Sequence, residues 1–312
     1  MSRAATLGAA VGAVAALALA ACPGSAPHSA GAHRGRAPAA RRARRSRASG
    51  RPARAEEQSA AVRRFSRLEL PVYCGARRGD LVALTFDDGP GPYTHLVLRE
   101  LRRAGARATF FLVARSIARF PGLPRRERAV GAIGDHTRTH PFLPALPPAA
   151  EIAEIAQGRA AAERAAGPPV DLFRPPYGAR TPTVDAEVRR AGMVDVLWDV
   201  DSQDSLVSPP RNFHAISAIV RRHIRPGSIV LLHDNRGQTV RALRAILPAL
   251  RRRHLRAVTV PDLLAADPPS PAMVRAGARG CGVVRDVARP PHAVRPTQAA
   301  RQPKTKPRVS AV

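Results

Sequence analysis

Two adjacent carboxylates, Asp87 and Asp88, close an apolar run at Thr85-Phe-Asp-Asp-Gly-Pro90. At a strand end such a pair can divide two tasks, one holding a metal ion and the other accepting a proton. A solvated turn is the alternative, since Asp, Gly and Pro are ordinary turn formers. His136-Thr-Arg-Thr-His140 supplies two imidazoles at i, i+4. That spacing predicts both rings on one side of a helical turn, as metal binding needs. Isolated pairs of this kind also occur as plain surface histidines, but the preceding strand and Gly134-Asp135 favour a site. Two histidines and one carboxylate leave coordination positions open for water and substrate, as in catalytic rather than structural zinc centres. Arg174-Pro-Pro-Tyr177 uses two prolines to fix where the Arg side chain and the Tyr amide point, or is a simple loop. Asp199-Val-Asp-Ser-Gln-Asp204 is an acidic loop after a strand, or a helix N-cap. Leu231-Leu-His233-Asp234 puts a histidine at the end of a buried strand, where it suits a core hydrogen bond as well as catalysis.

These residues are scattered along the chain, so the elements between them must bring them together. Leu81 to Phe86, Ala108 to Val113, Val130 to Gly134, Met193 to Val200, Ile229 to Leu232 and Ala257 to Val260 read as strands. Helical patterns fall between them: Thr94 to Ala104 stopped by Gly105, Glu151 to Ala166 stopped by Gly167-Pro168, Val184 to Ala191, and Val240 to Arg253. Alternating strands and helices predict an α/β fold with parallel strands. Every polar cluster follows a strand, and in barrels of this kind the loops after the strands converge on one face. That would gather Asp87, His136, Arg174, Asp204 and His233.

Composition places the folded part. Of 312 residues, 51 are Lys or Arg and 23 Asp or Glu, for a formal net charge of +28. Much of the excess is terminal: nine arginines and no acid between Arg34 and Arg54, and nine basic residues against Asp286 alone from Pro268 onward. Both stretches are rich in Ala, Pro and Gly and are expected to be disordered. The expected organisation is a signal peptide over 1–22, an Arg-rich linker over 23–69, one domain over 70–267 and a basic, Pro-rich tail over 268–312. Arg3 followed by the uncharged Ala4 to Ala21 marks export. Leu19-Ala-Ala-Cys22 resembles a lipobox, which would lipidate Cys22 and anchor the chain in a membrane. Cleavage after Ala18-Leu-Ala20 would instead release it. Cys74 and Cys281 then remain, flanking the domain, either as a disulfide or as two free thiols.

The five motifs, in this order, resemble those of the polysaccharide deacetylase family, the NodB-homology domain or carbohydrate esterase family 4. The resemblance runs from about Leu81 to Leu264. It implies a distorted (β/α) barrel of about seven units and Zn²⁺-assisted hydrolysis of N-acetyl groups, with Co²⁺ or another divalent ion as an alternative. By motif position Asp88, His136 and His140 would hold the metal, Asp87 would be the base with Arg174 holding it, and His233 the acid oriented by Asp204. Tyr177 would give its backbone N–H to the oxyanion, and Leu231 would line the pocket for the acetyl methyl. The chemistry fits: a bound metal acidifies water, a metal and an N–H stabilise the oxyanion, and an amine leaves only when protonated. One position departs from the family. Ser205 stands where a Trp usually follows the fourth-motif Asp, and Trp198, the only tryptophan, is expected in the core.

The substrate is then an acetylated polysaccharide, with peptidoglycan first and chitin-like oligomers or acetyl-xylan as alternatives. A non-catalytic envelope glycan binder of the same fold is the competing reading, opposed by the intact acid and base. Net charge alone suggests a nucleic-acid binder, but export and the lack of interleaved aromatics in the basic tails oppose it, so no nucleic acid is expected. An anionic membrane or cell-wall surface is the expected partner of the Arg-rich linker, and the chain is expected to be a monomer.

Overall fold

Residues 81–86 are apolar but for Thr85 because both faces of their strand are buried. In β1 (Leu81–Gly89), Val82, Leu84 and Phe86 join the core between sheet and helices, while Leu81 and Ala83 face the barrel interior, as strand alternation requires. The computed structural model describes residues 58–68, 70–206 and 212–282. The signal segment with Cys22, linker residues 23–57 and tail residues 283–312 lie outside the described residues.

Helix α1 spans residues 58–66 and precedes β1. Then follow α2 (Thr94–Ala104), β2 (Thr109–Leu112), α3 (Ala114–Arg119), α4 (Pro124–Arg128) and β3 (Ala132–Asp135). The middle of the chain forms α5 (Pro148–Ala166), β4 (Leu172–Phe173), α6 (Pro182–Arg190), β5 (Val194–Asp195) and β6 (Val200–Asp201). The last part forms α7 (Phe213–His223), β7 (Ile229–His233), α8 (Gly237–Arg252), β8 (Arg256–Val258), α9 (Val260–Ala266) and α10 (Pro271–Ala276). Among the described residues no helix is long and apolar enough to cross a membrane.

The strands form one sheet in the order β5-β4-β3-β2-β1-β7-β6, with β8 also on β1 and every named pairing parallel. Curled on itself with helices outside, this is the distorted (β/α) barrel. Met193–Val200 is not the single strand that its apolar pattern predicts. Its start pairs with β4 at one edge of the sheet, and Val200–Asp201 pairs with β7 at the other. The segment therefore spans the seam of the barrel, and a run of buried residues cannot signal a change of partner.

Both domain boundaries differ from the expected 70 and 267. Val62 and Phe65 of α1 are buried with Val72, Leu81 and Val260, plugging the barrel interior. Each such side chain gains about 1.5–3 kcal/mol by burial, which offsets the ordering of one or two backbone residues at about 1–2 kcal/mol each. At the other end Val274 of α10 is buried in the same cluster, and Cys281 is bonded to Cys74. Apolar anchors this sparse do not stand out in an Ala- and Pro-rich composition.

Candidate active site

Strand alternation would send Asp87 and Asp88 to opposite faces. The β1–β2 register shifts between Phe86 and Gly89, and Asp88 takes a left-handed backbone, φ 66°. This bulge turns the second carboxylate into the same cavity as the first. His136 Nε2 lies 3.8 Å from Asp87 Oδ2 and 3.8 Å from Asp88 Oδ1, and His140 Nε2 lies 3.2 Å from Asp88 Oδ1.

The two histidines do not sit on a helical turn. Residues 136–140 form a loop after β3, with Thr137 at φ 70° and His140 at φ 63°. Local hydrogen bonds hold it: Asp135 Oδ1 accepts from the Thr137 amide at 2.9 Å, and Thr137 Oγ1 accepts from the His140 amide at 3.0 Å. Glu154 of α5 accepts from the amide and hydroxyl of Thr139, both at 2.8 Å. Gly158 lets α5 come this close, since a Cβ there would stand 2.2 Å from Asp135 Oδ1 and 2.6 Å from the Thr137 backbone.

Arg174 is fully buried in the barrel interior. Its Nη1 donates to Asp87 Oδ1 and to Thr85 Oγ1, each at 2.7 Å, while Nε and Nη2 donate to the carbonyls of Val196 and Leu197 at 2.7 and 3.1 Å. The guanidinium also lies over the Phe111 ring at 4.2 Å. Burial raises the Asp87 pKa, and the Arg174 charge opposes that rise without cancelling it. Trp198 is only partly buried; it packs on the interior core, with Arg174 Cζ 5.5 Å from its ring.

Leu231 and His233 share one face of β7 at i, i+2, both nearly buried. Asp204 receives the His233 amide at 2.8 Å, His233 Nδ1 at 2.7 Å and the Thr239 hydroxyl. Burial alone would depress the His233 pKa, but the Asp204 charge and hydrogen bond outweigh it and, with Asp88 and Asp87, raise it to about 10. His233 is therefore a cation at neutral pH. The other two histidines move the opposite way: burial lowers His136 and His140 to about 4.

Asp88, His136 and His140 each place a ligand-type atom within 4.8 Å of the other two. His136 Nδ1 lies 2.6 Å from the Arg174 carbonyl, which can only accept, so the proton is on Nδ1 and the Nε2 lone pair faces the carboxylates. Asp88 Oδ1 is buried without a hydrogen-bond partner among the described residues. Acceptors facing acceptors in a buried site are relieved by a cation, and two neutral imidazoles with one carboxylate suit a divalent ion. The donor set fits the expected metal.

The residues expected to carry catalysis or hold the metal, from Asp87 to His233, converge here, and Asp201 lies close enough to feel the charges of Asp204, His233 and Asp87; Asp199 does not join them. Asp199 instead accepts from the Ile229 amide, Ser228 and Arg77. Tyr177 adopts φ 61° and stands 46% exposed, its ring edge-on to His140 at 4.8 Å between centroids. Several contributors carry no part in the sequence motifs' expected roles, among them Thr85, Thr239, Asn235, Glu154, Gly158 and Phe142. Thr85 was open to inference, two residues before Asp87 on the same strand face. Asn235, which donates to Asp88 Oδ2 at 3.3 Å, carries no signal of its own. Phe142 is 43% exposed and tilts against Tyr177 at 6.2 Å.

Comparison with known proteins agrees with this geometry. The family model described as polysaccharide deacetylase matches residues 75–196. A chitooligosaccharide deacetylase of Bradyrhizobium sp. (strain ANU 289) is 38% identical over 218 residues, covering 62% of this chain and 98% of that protein. A peptidoglycan-N-acetylglucosamine deacetylase of Bacillus cereus is 36% identical over 189 residues, 59% of this chain and 88% of its own. A crystal structure of a peptidoglycan N-acetylglucosamine deacetylase bound to a substituted benzamide superposes with a TM-score of 0.59 at 30% identity, covering 64% of this chain and 94% of that one. With a relative matched over nearly its whole length and the fold shared, the chain belongs to the polysaccharide deacetylase family.

Proposed function

We propose that this protein is an exported, metal-dependent deacetylase that hydrolyses N-acetyl groups of an amino-sugar glycan, peptidoglycan before chitin-like oligomers, with the O-acetyl groups of acetyl-xylan as the alternative. The observation that carries this reading is a buried base and a buried acid beside one open donor set. Asp87 is 3.8 Å from His136, and His233 is held cationic by Asp204. Asp88, His136 and His140 would hold the ion, Zn²⁺ first and Co²⁺ as the alternative. A divalent ion there supplies Lewis acidity, which acidifies water and polarises an acyl oxygen.

The side chains do the rest. Asp87 takes a proton from the attacking water as its oxygen bonds to the acetyl carbon. Its raised pKa strengthens it as a base, and Arg174 fixes its second oxygen. The Tyr177 N–H donates to the developing oxyanion. As the C–N bond breaks, His233 passes its proton to the leaving amine, giving acetate and a free amino sugar. Leu231 offers an apolar wall for the acetyl methyl. Tyr177 and Phe142 give an exposed aromatic surface on which a sugar ring can lie. A non-catalytic binder would need neither the acid nor the base.

The signal segment, lipidation of Cys22 and attraction of the Arg34–Arg54 stretch to an anionic envelope surface complete the proposal. Its test is acetate release from peptidoglycan, chitin oligomers and acetyl-xylan. Release is expected from an N-acetylated polymer, lost with chelator and restored by Zn²⁺. Release from none of the three would sink the reading, and release only from acetyl-xylan would correct the bond class.

A further inference from the structure

The barrel carries a second charged feature, at the end opposite the candidate active site. All named strands are parallel, so each helix that leads into a strand ends beside that strand's N-terminus, away from the loops that hold Asp87, His136 and His233. At that end the last turns of α7 and α8 enclose a shallow cleft of about 500 Å³, lined by Ala218, Arg221, Arg222, Ala249, Arg252 and Arg253. It contains four guanidinium groups and no acid. All four arginines are exposed.

Several arginines elsewhere on the domain find carboxylates: Arg77 meets Asp199, Arg107 meets Asp262, Arg180 meets Asp185, Arg190 meets Glu187 and Arg256 meets Asp80. Among the described residues none of the four cleft arginines has an acidic side chain within 4 Å. Arg253 is instead fixed by the carbonyls of Arg221 and Ile224, at 3.0 and 2.9 Å, which holds its charge in the cluster. A cation near each helix C-terminus favours the helix dipole, and one per helix would serve. Four facing one cleft repel each other unless an anion joins them.

We propose that this cleft binds the phosphate groups of an anionic lipid surface, seating the folded domain with its candidate active site turned outward. Three features favour a surface over a small solute. The cleft is open and shallow. Two more clefts border α8; in them Asp80 pairs with Arg256 and Glu100 with Arg103 and Arg244, but the exposed Arg251 edges both without an acidic partner among the described residues, so the basic area extends past one phosphate. And the chain enters the fold at this same end, where α1 packs with Leu81, the first residue of β1. The contact is separate from the one proposed for the linker.

Vesicle sedimentation tests it, using the full chain with Cys22→Ser so that no acyl group contributes. Arg222 and Arg252 make no side-chain hydrogen bond among the described residues, so R222Q/R252Q leaves the fold intact. R115Q/R119Q removes the same charge from exposed sites on α3. An arginine at an anionic bilayer is worth on the order of fivefold in binding. On phosphatidylglycerol–phosphatidylcholine vesicles R222Q/R252Q is expected to bind at least about tenfold more weakly, and R115Q/R119Q within about twofold of the parent. Equal losses, or none for R222Q/R252Q, would overturn the proposal. So would a loss seen with soluble poly(glycerol phosphate) but not with vesicles. Pure phosphatidylcholine should show no difference between the variants.

Discussion

Asp87 and His233 are pushed in the same numerical direction by different forces, and each gains what its proposed task requires. Burial raises Asp87, making it a stronger base, while Arg174 limits the rise. Asp204 raises His233 to about 10 despite burial, which keeps the acid charged. Asp87→Asn keeps the shape but cannot take a proton, so turnover should fall by roughly 10²–10⁴-fold with metal affinity near normal by calorimetry. Near-parental turnover would remove Asp87 from its role. For His233 the sign is set by a folded pKa above 6.5. The acid form persists through neutrality and is lost as pH rises through about 10, as is the stability the Asp204 pair provides below about 6.5. The alkaline limb of kcat/KM should therefore lie above neutrality and below 10, since a bound divalent ion opposes the imidazolium charge. Asp204→Asn removes the chief raising influence and should move that limb to lower pH; an unmoved limb would assign it to another group. The identities of these residues were legible because their types are costly to bury unless used. What was not legible was how neighbours Asp87 and Asp88 reach one cavity, since that depends on a bulge and a left-handed residue.

At the scale of elements, the least legible piece was the His136–His140 loop. The i, i+4 spacing predicts a helix, yet the rings are brought together by left-handed Thr137 and His140, with α5 buttressing the loop. Spacing identifies ligands when geometry can be reached in more than one way. Gly158 gives this a sharp test. In an ordinary helix interior Gly→Ala stabilises by up to about 1 kcal/mol. Here the added Cβ would meet Asp135 and the Thr137 backbone, so Gly158→Ala should lower the melting temperature and weaken Zn²⁺ binding together. A stabilised variant with unchanged metal affinity would show that α5 does not position the loop. Helices such as α2 and α8 were readable from apolar periodicity and stop signals alone. The short β5 and β6 were not, because two-residue strands are defined by their partners.

For the whole molecule the fold class followed from the alternation of strands and helices, but its limits did not. α1 and α10 lie beyond the segment that looked ordered, and the Cys74–Cys281 bond joins the two ends across 207 residues of sequence. Closing a loop that long is worth up to about 5 kcal/mol on a chain-entropy account, and 2–4 kcal/mol is typical. Cys281→Ser, or reduction of the parent, should lower the melting temperature by roughly 5–15 °C. Two reactive thiols beyond Cys22 in the denatured, unreduced chain would remove the bond from the account.

The seam of the barrel has a consequence for how this scaffold could change with time. Between Asp195 and Val200 the wall is held in part by the Arg174 guanidinium, which grips the carbonyls of Val196 and Leu197 while its other arm reaches Thr85 and Asp87. Three of those four contacts are independent of catalysis. A lineage released from selection for activity would keep this wall after losing Asp87 or His233, but losing Arg174 would open it. Inactive descendants of such a chain should keep this arginine long after the carboxylate it serves has gone.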